Sequence, residues 1–163
     1  MATYGLPNNN KILAALGMIA LRHGHLDNAL RMVIKDLAGV TKQEALDATA
    51  RQMSGELRGR IRKLAKHRIG EGPALVRLHA LLERAERATN RRNEFFHRTW
   101  GIEKASEAGA RRVVVRDDCH AFQRAPTLKE LMAAVEELEG ILDDLLRAQR
   151  RGFLSKAIKK KNC

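Results

Sequence analysis

Between residues 12 and 37 the apolar side chains fall at spacings that alternate four and three without a break: Ile12, Leu16, Ile19, His23, Leu26, Leu30, Val33 and Leu37. A strand repeats every two residues, so this pattern belongs to a helix of about 40 Å with one apolar seam. Asn8 to Asn10 offer an N-cap and Gly39 a stop. A stripe of that length is buried only against other long helices. Few aromatic residues interrupt the alanine and leucine of the remaining chain (one Trp, one Tyr, four Phe), which favours helix throughout.

Thr41-Lys42-Gln43-Glu44 reads as a capping box opening a short second helix near Ala45 to Ala50. Leu57, Ile61, Leu64 and Arg68 mark a third helical piece, stopped by Gly70, Gly72 and Pro73. Leu75, Leu78, Leu82, Ala85, Thr89, Arg92 and Phe96 form the seam of a second long helix reaching about Arg98. Arg111 to Arg116 is the only β-like run, so residues 100–125 are expected to form a small hairpin or loop. Thr127 to Glu130 is another capping box, and Leu128, Leu131, Val135, Leu138, Leu142 and Leu145 carry the last long helix to Gly152. The expected fold is an all-α, up-down helical bundle over residues 1–152, followed by a basic tail over 153–163.

The net charge of +12 favours polyanionic partners, nucleic acid foremost. Lys156, Lys159, Lys160 and Lys161 lie in an acid-free end segment, expected to contact RNA phosphates. Just before it, Glu130, Glu136, Glu137, Glu139, Asp143 and Asp144 concentrate acid, and a solvated tail beside a solvated acidic face is the plainer reading of both. Two distant cysteines, Cys119 and Cys163, argue against a disulfide framework and for a reducing compartment. There is no apolar run of membrane-spanning length and no signal-like start, so a cytoplasmic, membrane-free protein is expected.

Arg92 takes a seam position where the other helices place leucine, and an arginine there must be paired or open onto a cleft. Glu86, Asn90, Asn93 and His97 follow at spacings of four, three and four on one face of the helix. Arg92-Asn93-Glu94-Phe95-Phe96-His97 resembles the Arg-x4-6-His signature of the HEPN superfamily, including the polar residue after the arginine. HEPN domains are helical bundles of similar size, and many are metal-independent ribonucleases of toxin–antitoxin, antiphage and RNA-processing systems. The resemblance implies catalysis by Arg92, Asn93 and His97, a homodimer with the active site between paired domains, and an antitoxin partner. HEPN toxins paired with nucleotidyltransferases usually continue His-x-Tyr; here Thr99 stands in that place, so control through the tyrosine is not carried over. Arg62 to His67 satisfies the bare spacing as well, but lacks the asparagine.

These residue types suit RNA cleavage by the 2′-OH, which needs a base, an acid and positive charge at phosphorus. A histidine moves protons near neutral pH, and an arginine grips two phosphate oxygens at once. Glu86, Asn90, Arg91 and Arg98 are the expected positioning residues, with neither cofactor nor metal required. In-line attack places base and acid on opposite sides of phosphorus, which a two-fold dimer supplies by bringing two copies of His97 and Arg92 to a shared cleft. On a straight helix Arg92 and His97 point about 140° apart, so their convergence requires the arginine to reach around or the helix to unwind near Phe96. A non-catalytic basic module binding nucleic acid or a protein is the alternative function. His23 reads as a hydrogen-bonded core residue, and nothing in the first helix decides whether His25 and Asp27 face the site. Asp117 to His120 reads as loop, because adjacent residues rarely converge on one ion.

Overall fold

The computed structural model describes residues 2–4, 9–104, 111–116 and 123–161. The described residues are mostly helical, with six helices: α1 (Asn10–Ala38), α2 (Lys42–Thr49), α3 (Ser54–Ile69), α4 (Pro73–His97), α5 (Leu128–Arg150) and α6 (Phe153–Lys161). α1 packs along α5 on one side and α3 on the other, and α4 closes against α5 and α3.

Local signals set the helix ends. The Asn9 carboxamide accepts from the Lys11 and Ile12 amides, and Gly39 ends α1 at φ 69°, where a side chain would be strained, donating its amide to Lys35 O. Both expected capping boxes form, Thr41 with Glu44 and Thr127 with Glu130. Arg124 and then the Thr127 amide and hydroxyl hold the Glu130 carboxyl down to about 2, which fastens the start of α5 to the strand before it.

The core follows the seams. Ile19, Leu26, Leu30, Leu78, Leu82, Leu131, Val135 and Leu138 are buried, while Leu16 and Leu142 are half-buried at its edge. The seam of α4 departs from its expected course near its end: Phe95 is buried and Phe96 exposed, the reverse of the four-three reading. Arg92 does not enter the core, and the buried face passes instead through Ala88 to Phe95.

Residues around 100–125 hold more strand than a lone hairpin. β2 (Thr99–Lys104) pairs with β3 (Arg111–Arg116), as a hairpin would, but β1 (Ala2–Tyr4) adds outside β2 and β4 (Gln123–Arg124) outside β3. The sheet is antiparallel throughout. Three residues cannot display an alternating pattern, and β1 pairs with residues about a hundred positions away, so nothing local marks it. Val114 and Val115, neighbours pointing to opposite faces, are both buried, so β3 is covered on both sides there.

The segment expected as a free basic tail forms α6. Leu154 is fully buried, Phe153 and Ile158 pack on the core, and Lys161 Nζ donates to His67 O. Lys156, Lys159 and Lys160 remain on its exposed side. The acidic face of α5 is not merely solvated either: Glu139 pairs with Arg22 of α1, while Glu137 and Asp144 pair with Arg91 and Arg84 of α4. No described helix is long and apolar enough to cross a membrane. Asp117 to His120 and both cysteines lie outside the described residues.

Leu82 and Leu138 are 0% and 1% exposed, so replacing either by alanine should cost about 2–5 kcal/mol in denaturant unfolding. A loss below about half a kcal/mol at both would show that the α4 and α5 seams do not face the core.

Candidate functional site

His23 sits on the α1 seam, where its ring nitrogens must find partners once buried. Polar groups of three helices surround them. Nε2 lies 3.3 Å from the Thr89 hydroxyl of α4 and 3.5 Å from the Ser54 hydroxyl of α3. Nδ1 lies 3.8 Å from an Asp27 carboxylate oxygen one turn along α1. Ser54 in turn donates to the other Asp27 oxygen.

Arg58, one turn beyond Ser54, is buried in the same junction, donates to Thr89 at 3.3 Å and approaches Glu86 at 3.8 Å. Burial pushes its pKa down, and Glu86 pulls it back up. Glu86 is shared with Arg62 at 3.3 Å, so it only partly offsets the buried cation.

Arg92 and Asn93 complete the wall. The Arg92 guanidinium donates to Asn93 Oδ1 at 2.9 Å and stands 4.9 Å above the exposed Phe96 ring, a cation–π contact one turn along the helix. Together these groups line an open cleft of about 600 Å³ between α1, α3 and α4, with Arg51, Gln52 and Asn90 also on its wall. Buried side-chain atoms without a hydrogen-bond partner cluster here: among the described residues, three of the five are Gln52 Oε1, Arg58 Nε and Arg92 Nε.

The structure therefore brings Arg92, Asn93 and Asn90 into one cleft and sets the other expected residues elsewhere. His97 is exposed as the last residue of α4 and does not line the cleft. The helix stays regular through Phe96 rather than unwinding, and Trp100 clamps its end by donating from the indole to Phe95 O at 2.9 Å. Glu86 serves as counter-ion to Arg58 and Arg62, and Arg91 turns to α5, reaching Glu130 O at 3.4 Å and Glu137 at 3.6 Å. Arg98, half-buried, is the extended residue that ends the helix. The lysines of α6 do not line the cleft.

Sequence reasoning left Asp27 undecided and passed over Ser54 and Arg58 as cleft residues, while His23 is the hydrogen-bonded core residue it was read as. A usable signal existed in α3, where Ser54, Arg58, Ile61 and Ala65 are all buried and repeat at four, three and four. That second stripe carries a hydroxyl and a cation on the helix's inner side.

Compared with known protein families, curated proteins and solved structures, the chain matches none of them. The site is read from its own geometry.

Burial is the largest influence on the His23 imidazole and lowers its pKa below 6.5; Asp27 opposes this, while Arg92 and Arg58 add to it. The folded protein thus favours neutral His23 more than the unfolded chain does. Its contribution to stability is complete above pH 6.5 and is lost as pH falls from there through the lower folded value. Denaturant titrations at pH 7.5 and 5.5 should show a larger stability loss for the wild type than for His23→Gln, which keeps a donor to Thr89 but does not titrate. Equal losses would mean that His23 is not held neutral by its surroundings.

Proposed function

We propose that the protein is a metal-independent endoribonuclease cutting single-stranded RNA by attack of the 2′-OH on the adjacent phosphate. One observation carries this reading: two arginines, Arg58 and Arg92, line a single open cleft beside Asn93 and a histidine, with incompletely saturated guanidinium donors. A phosphodiester is the anion that such a cleft suits, since paired N–H donors grip two of its oxygens and fixed charge stabilises the phosphorane. The resemblance of the Arg92 to His97 stretch to HEPN ribonucleases, and the net charge of +12, point the same way.

His97 serves as the second proton-transfer group. Because it stands outside the cleft of its own chain, it reaches the reacting phosphate from a second copy, so the working form is a homodimer with composite sites. The lysines of α6 hold the RNA by its phosphates without reading bases. The resemblance of the Arg92 to His97 stretch to HEPN ribonucleases implies a toxin or defence role, with an antitoxin protein as partner.

Cleavage of single-stranded RNA should proceed in EDTA and leave 2′,3′-cyclic phosphate ends, and RNA with a 2′-deoxy sugar at the cut position should resist. Arg92→Ala should slow cleavage about 10²–10³-fold through lost charge stabilisation, whereas His67→Ala should not. A requirement for Mg²⁺, or an Arg92→Ala enzyme of full activity, would contradict the mechanism. Tight RNA binding without any cleavage would instead establish the non-catalytic module, the reading favoured by the absence of His97 from the lining of its own chain's cleft.

The α6 lysines have a separate test. Changing Lys156, Lys159 and Lys160 to glutamine leaves Leu154 buried, so the helix should stay docked. The slope of log affinity for single-stranded RNA against log salt should fall by about 2 if all three neutralise phosphates. An unchanged slope would remove α6 from the RNA-binding surface.

A further inference from the structure

We propose that His23, backed by Asp27, is the base that takes the 2′-OH proton, so that each chain carries its own proton acceptor beside its own Arg92. The assignment rests on the ribonuclease reading and names a residue in that site. It also gives the two proton transfers to two unlike histidines, with His97 left as the acid.

The hydrogen bonds decide which nitrogen is free. Thr89 spends its one hydroxyl proton on Ala85 O at 2.8 Å, so its oxygen accepts from His23 Nε2 and from Arg58. The imidazole proton therefore sits on Nε2, and Nδ1 carries the basic lone pair. Ser54 gives its proton to Asp27, which leaves the other Asp27 oxygen 3.8 Å from Nδ1, facing it without a hydrogen bond. A proton arriving at Nδ1 is met by that carboxylate, which stabilises the imidazolium formed.

The charged and titratable groups around the ring are Asp27 from α1, Arg58 from α3 and Arg92 from α4. Burial and the two arginines keep the imidazole neutral at pH 7, the form a base requires, and Asp27 limits how far the pKa falls. His23 and Arg92 line the same cleft, so a phosphate gripped by the guanidinium lies within the space that the ring faces. As the bond from O2′ to phosphorus forms, the 2′-OH proton passes to Nδ1. The bond from phosphorus to O5′ breaks, and O5′ takes its proton from His97. No other reactant is needed.

The test uses His23→Gln, whose amide keeps the donor to Thr89 and the packing but accepts no proton near neutral pH. With an unchanged melting temperature, cleavage should drop about 10²–10⁴-fold. The wild-type rate should also fall as pH drops below 6.5, a limb that the variant should lack. Wild-type cleavage with an equally active variant and an unchanged pH profile overturns the His23 assignment and leaves the ribonuclease reading standing. An inactive wild type rejects the ribonuclease reading, and the base assignment with it. A binding experiment judges His23 without turnover: saturating the protein with a 2′-deoxy oligonucleotide should shift the His23 imidazole resonances and raise its NMR pKa, as a phosphate beside the ring favours the imidazolium. Saturation that leaves both unmoved places the phosphate away from His23 and overturns the assignment.

Discussion

An imidazole on the seam of a long helix, where its neighbours are isoleucine and leucine, is destabilising unless the ring is hydrogen-bonded within the fold. His23 is that residue, and the polar interior of the protein is arranged around it. Thr89 replaces an aliphatic residue on the α4 seam and turns its hydroxyl to the ring. Ser54 begins α3 at the point where it meets both the ring and Asp27. Arg58 follows one turn later and takes the remaining lone pair of Thr89, which in turn requires Glu86 on α4. Three helices are thereby held by one hydrogen-bonded junction, and the volume that an aliphatic core would fill is left as a cleft.

The charges elsewhere add little energy. Exposed or half-exposed pairs such as Arg22–Glu139 and Arg84–Asp144 contribute roughly 0–1 kcal/mol each, small beside the burial of the leucine seams. They flank the apolar seam through which α5 meets α1 and α4. With much of the acid engaged on α5, the exposed lysines of α6 add to the basic surface that the net charge of +12 offers a polyanion.

Much of the helical framework was legible in the sequence because its signals are local. Four-three spacing, two capping boxes and the glycine stops place α1, α4 and α5 within a residue or two of their observed ends. What escaped depends on distant partners. β1 exists by pairing with β2 across the chain, and α6 is a docked helix because Leu154 finds the core, which its run of lysines conceals. The exchange of Phe95 for Phe96 follows from Arg92 opening to the cleft. In the site, Arg92 and Asn93 were legible as polar intruders on a seam. His23 was legible as a hydrogen-bonded core residue, as it is, and Asp27, Ser54 and Arg58 join it only when α1, α3 and α4 meet. His97, read as their companion from spacing, lies one turn past Asn93 at the exposed end of α4 and does not line the cleft.

The central claim is that the cleft between α1, α3 and α4 receives the scissile phosphate. A crystal structure of the protein with a short single-stranded RNA carrying 2′-deoxy sugars, which holds the attacking group absent, tests it most directly. The account predicts a phosphate within hydrogen-bond distance of the Arg92 guanidinium, and the 2′-carbon of the preceding sugar turned toward His23 Nδ1. An oligonucleotide seated on the lysines of α6 or another surface, with the cleft between Arg58 and Arg92 empty of phosphate, would contradict it.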